Sequence, residues 1–154
     1  MYKVTIDRLM DMCTKHADKI AVLWYKSLST NPRTVTCREM PEEGALRHAV
    51  KIYQSMGEMF FADNCFQAVS RVLNVDGFAE DFYARGIPLE EVLYALILLR
   101  RHIWLYADVQ VIFSTETDLY FATESINRIL LVFDYATYIV AHKYREFARK
   151  TAVC

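Results

Sequence analysis

Glycine and proline are scarce in this chain, four and three among 154 residues, and much is excluded by that alone. Loops that cradle phosphate need glycines in close succession, and neither a Gly-rich phosphate loop nor a G-x-S-x-G turn occurs. Few turns also imply long elements, and with 54% hydrophobic residues to bury the expected solution is helical. Net charge is lacking as well: 18 basic side chains stand against 19 acidic ones, which removes any bulk attraction to nucleic acid or an acidic membrane. The four cysteines, Cys13, Cys37, Cys65 and Cys154, form no C-x-x-C pair. Zinc, iron–sulfur and covalently attached haem therefore have little support, and no metal or cofactor is expected. Apolar runs stop at Arg100, Arg101 and His102 and again at Asp134, short of the roughly 20 residues a spanning helix needs. Residues 1–11 carry Lys3, Asp7, Arg8 and Asp11 in place of a secretory apolar region. The expected setting is a reducing cytoplasm with free thiols.

What is present is punctuation for helices in a chain of one-domain length, 1–154. The segment RGIPLEEVLYALILLRRHIWLY, residues 85–106, organises the rest. Gly86 interrupts what precedes it, Pro88 suits a first helical position, and Glu90 and Glu91 sit where the helix dipole favours negative charge. Val92, Leu93, Ala95, Leu96, Ile97, Leu98 and Leu99 then cover most of the cylinder, which predicts a central helix reaching about Phe113. Ahead of it, three- and four-residue steps from Ile6 through Trp24 to Leu28 predict one helix over residues 6–29, ended by Asn31 and Pro32. Pro41, Glu42 and Glu43 open a second over 41–61. Asp63 and Asn64 are caps for a third, and Asp76 beside Gly77 is a cap for a short helix containing Phe78 and Phe82.

The last helix is expected from a cap at Thr115 to about Arg149, roughly 50 Å at 1.5 Å per residue, against a radius of gyration of about 15 Å for a globule of this length. Its middle carries Ile126, Ile129, Leu130, Leu131, Val132, Phe133, Tyr135, Ile139 and Val140, more than one buried stripe takes. Two faces need cover, so a homodimer through the last two helices is expected, with Ile126, Leu130, Phe133 and Ile139 as interface candidates.

No constellation for catalysis is visible. The adjacent acidic pairs at Glu42, Glu80 and Glu90 fall in first helical turns, where dipole compensation explains them. Of the four histidines, His16 and His48 are placed on solvent-facing sides, His142 in the basic last turns, and His102 at the border of the core. A haem-binding alternative has His102 as its geometric candidate. The aromatics are first of all core, and a sharper reading has Tyr94, Arg100, Arg101 and Trp104 lining a site for a small apolar ligand.

Residues 78–106, FAEDFYARGIPLEEVLYALILLRRHIWLY, also resemble a known family. The Arg-Gly-x-Pro-Leu lead-in at Arg85 to Leu89, the Leu-Leu-Arg at Leu98 to Arg100, and a long terminal helix with Asn127, Arg128 and Tyr144 are similar to the N-terminal sensory domain (RsbRD) of the RsbR-type stressosome co-antagonists. The resemblance implies an all-α, globin-like bundle, here of about five to six helices with two long C-terminal ones. It further implies a fold that generally lacks haem, dimerises through its terminal helices, and passes a signal to a partner protein without being an enzyme. A purely structural partner-binding bundle is the third reading. Family members often continue into an output domain, whereas this sequence stops at Cys154, so no kinase scaffolding is carried over.

Overall fold

The computed structural model describes the backbone of residues 2–109 and 116–153 and the side chains of residues 6–107 and 124–152. Among these residues every regular element is helical, in the order α1 (Tyr2–Lys15), α2 (Ala17–Thr30), a 3-10 turn (Thr36–Glu39), α3 (Glu42–Gln54), α4 (Met56–Phe61), α5 (Cys65–Asp76), α6 (Phe78–Ala84), α7 (Leu89–Val109) and α8 (Glu116–Val153). The protein is therefore an all-α bundle whose two longest helices come last. The expected extension of α7 to Phe113, the cap at Thr115 and the thiol of Cys154 lie outside the described residues.

Two helices expected as single elements are each divided. The first divides at His16, where φ −108° and ψ 16° interrupt helical geometry, and α1 then packs on α4 and α8 while α2 packs on α3 and α7. A straight rod over this stretch would leave one end without a core to cover. The second divides at Ser55, whose φ −90° and ψ 0° lie in the bridge region and whose N–H is shared between the Lys51 and Ile52 carbonyls.

The other boundaries follow local chemistry. Asn64 caps α5 as expected, its side chain accepting from the Gln67 N–H at 3.0 Å. Asp76 does not cap α6 but closes α5; the turn is made by Gly77, at φ 73°, with its N–H on the Leu73 carbonyl. Pro88 stands one residue ahead of α7, and its carbonyl accepts from Glu91 and Val92.

Helix α7 lies between α2 and α8, with Val92, Ala95, Leu96, Leu99 and Ile103 buried. Two core aromatics staple neighbouring helices to it through their polar tips. Trp24 of α2 donates its indole N–H to the Ala95 carbonyl at 3.0 Å, and Tyr53 of α3 donates its hydroxyl to the Leu99 carbonyl at 2.8 Å. Burial costs these tips nothing in hydrogen bonding, because each uses the second lone pair of a helical carbonyl. From α8, Tyr144 donates to the Ile87 carbonyl at 2.9 Å, and the Arg128 guanidinium donates to the Phe60 carbonyl at 2.8 and 3.2 Å. The α7 cylinder is not covered all round: Ile97 and Leu105 are exposed with Arg101 on its outer side.

Candidate functional site

The outer side of α7 and the segment following α2 form two adjoining hollows. One, of about 500 Å³, lies between Pro32, Arg33 and Val35 on one wall and Glu90, Glu91 and Tyr94 on the other. The second, of about 350 Å³, lies between the end of α2, from Ser27 to Pro32, and Leu98, Arg101, His102 and Leu105 of α7. Pro32 belongs to both, and the α7 residues recur at three- and four-residue steps, so together they follow one helix face.

Local bonding makes this wall rigid. The Thr34 hydroxyl folds the chain back onto α2 through the Leu28 carbonyl at 2.7 Å. Glu91, read from the sequence as dipole compensation for its own helix, instead accepts the Thr36 and Cys37 N–H groups at 2.7 and 3.2 Å, capping the 3-10 turn. Burial first, then the charge and hydrogen bond of Glu91, push the Cys37 thiol up to about 12, so it is no nucleophile. The Arg33 guanidinium sits over the Tyr94 ring at 5.8 Å.

His102 is buried at the floor of the second hollow with Nε2 2.7 Å from the Ser27 hydroxyl. Burial, and then the Arg101 charge, hold its imidazole below the ordinary value of 6.5, which makes it a neutral group near pH 7. The nitrogen a haem iron would need is thus already engaged. Of the ligand candidates, Tyr94 lines the first hollow and Arg101 the second, whereas Arg100 and Trp104, both half-buried, line neither. The apolar gap among Ile52, Leu73, Leu96, Val132 and Phe133 measures only about 10 Å³, at the margin for one water.

On α8, Phe133 and Ile139 are 4% and 6% exposed. They are taken up by the chain's own core, which leaves Ile126 and half-buried Leu130 of the four interface candidates with surface to offer. Ile126 is 38% exposed, and outward with it are Leu131 and Tyr138, 38% and 62% exposed. Beside them Phe66 of α5 packs on Tyr135 and Tyr138 with ring centroids at 5.3 and 6.1 Å, and Tyr138 stacks on His142 at 6.3 Å.

One group departs from the sequence reading altogether. His48 does not face solvent; it is buried between Asp76 and Asp81. The apolar face of α3 runs through Ala45, Ala49, Ile52 and Tyr53, and in that frame His48 falls inside the stripe. A face centred on Leu46 and Val50 leaves it outside. Among the described residues no three His, Cys, Asp or Glu side chains converge as metal ligands would, and no helix is long and apolar enough to cross a membrane.

Comparison of the chain with known protein families, with curated proteins and with solved structures finds no match.

Proposed function

We propose that this chain is a non-enzymatic signal-input module that pairs through α8 and responds to a small molecule in the α2–α7 groove. The observation that carries the reading is the outer side of α8. Its inner side is complete, with Ile129, Val132, Phe133 and Val140 buried, yet Leu131 and Tyr138 remain outside and extend into the Phe66 and Tyr135 aromatic patch. Glu124, Leu131, Tyr138 and Arg145 recur every seven residues along this side, the spacing of a helix–helix seam. An antiparallel second copy would set Glu124 against Arg145 and Leu131 against Tyr138, each pair twice, about an axis between Asp134 and Tyr135. The apolar pairs supply the affinity and the exposed charges supply the direction.

The groove fits a ligand with an anionic group for Arg101 in the second hollow, away from Glu90 and Glu91 in the first, and an apolar part for Leu98, Leu105 and Val35. Such a ligand shifts signalling only by preferring one α7–α8 packing over another. The resemblance of residues 78–106 to RsbR-type input domains supports the same reading.

Sedimentation equilibrium at micromolar concentration tests the pairing. The native chain should be a dimer; Glu124→Arg and Arg145→Glu should each weaken it, and the double exchange should restore it. A native monomer would remove the reading, and a double exchange no better than either single one would remove the antiparallel arrangement.

A further inference from the structure

His48 is only 1% exposed, yet each of its ring nitrogens meets a carboxylate. Nδ1 lies 2.6 Å from Asp76 Oδ2 at the end of α5, and Nε2 lies 2.7 Å from Asp81 Oδ2 on α6. A neutral imidazole has one N–H and one lone pair, so with both carboxylates ionised the two bonds together require the imidazolium. The two carboxylates are unequal: the Asp76 side chain is 2% exposed and that of Asp81 24%. Arg85 holds the other oxygen of Asp81 at 3.0 Å. The Phe78 and Phe82 rings complete the enclosure, with centroids 5.7 and 6.0 Å from the imidazole.

Helix α6 is a seven-residue element, too short to persist without tertiary contacts, and on its far side it grips α8. Glu80 pairs with Lys143, both carboxylate oxygens at 3.1 Å. Tyr83 packs on Tyr144 and Phe147 with centroids at 5.1 and 5.0 Å. Whatever seats α6 on α3 therefore also seats the last turns of α8.

We propose that His48 is a proton-operated latch: its imidazolium fastens α3 to the α5–α6 corner, and loss of the ring proton releases α6 together with the α8 turns that α6 grips. The release has a direction. With the proton gone, one carboxylate faces a lone pair. Asp76 has no water to turn to and keeps the remaining N–H, whereas Asp81 can turn toward solvent and Arg85. The charges acting on the ring are those of Asp76 and Asp81, with Arg85 acting through Asp81; Glu80 is engaged by Lys143. Burial pulls the imidazole down from 6.5, but the bonds and charges of the two carboxylates more than reverse this and leave it raised. Burial likewise raises Asp81, and His48 and Arg85 outweigh it to leave that carboxyl lowered. The latch is accordingly closed at pH 6.5 and below and opens as pH rises through the raised folded value of His48.

Nitrogen-15 NMR of the histidine rings, combined with hydrogen exchange across a pH series on the full chain, tests it. At pH 6.5 the His48 ring should carry both protons in most molecules, and it should titrate above 6.5. Protection of α6 and of residues 143–151 should fall through that midpoint, while α5 stays protected. Asp81→Asn, which keeps an acceptor but removes the charge, should lower the midpoint by about one unit and move the opening with it. A ring mostly singly protonated at pH 6.5, α6 protection that is flat through the midpoint, or an unchanged midpoint in the Asn variant would overturn the proposal.

Discussion

The two buried histidines respond to pH with opposite sign. His48 is raised, so its stabilisation is fully present below the unfolded value of 6.5 and is lost as pH rises through the folded value. His102 is lowered by burial and by Arg101. It contributes nothing above 6.5, and as pH falls below that value the unfolded chain takes up a proton that the folded chain resists. In urea titrations at pH 7 and pH 5.5, His102→Gln should therefore lose less stability on acidification than the native chain. An equal loss would show that the bond to Ser27 holds the ring through protonation. His102 was expected at the border of the core from the residues beside it and lies there, 9% exposed, whereas His48 could not be placed by composition or by its immediate neighbours. His48 needed the frame of the α3 stripe, which two sets of small apolar residues fit almost equally well, and its carboxylates come from helices that follow α3 in sequence.

At the scale of elements, local chemistry was largely readable. Gly86, Pro88 and Glu90 place the start of α7 within a residue of the observed Leu89, and Asn64 caps α5 as its residue type predicts. Two glycines show how position decides what the same substitution does. Gly77 sits at φ 73° with nothing within 4 Å of the point a Cβ would occupy, so the strain of Gly77→Ala is purely that of the left-handed backbone, about 1–2 kcal/mol. Gly44 lies within α3 and is equally open, so Gly44→Ala should stabilise by up to about 1 kcal/mol through helix propensity. Thermal unfolding should place the two variants on opposite sides of the native chain. The divisions at His16 and Ser55 were not readable, because both stretches keep helical period across the break and only the packing of each half on different neighbours separates them.

At the scale of the whole molecule, α8 is about 57 Å long, 38 residues at 1.5 Å each, and touches α1, α4, α5, α6 and α7. Its surplus of apolar residues was evident from the sequence and is the ground for expecting a second covered face. If α8 pairs as proposed, folding is coupled to association and the melting temperature should rise with protein concentration. Leu131→Glu should abolish that rise while leaving helical content unchanged; a concentration-independent melt of the native chain would count against pairing.

The sequence by itself determined the all-α class, the central place of α7 and most helix ends. These rest on hydrophobic period, on glycine and proline geometry and on caps, all of which act within a few residues. Only the tertiary structure decided which of the α8 apolar residues turn inward, that Glu91 caps a neighbouring turn, and that His48 is enclosed by two carboxylates. Those outcomes depend on how helices distant in sequence fit together, because a side chain's burial and its charge partners are properties of the packed bundle.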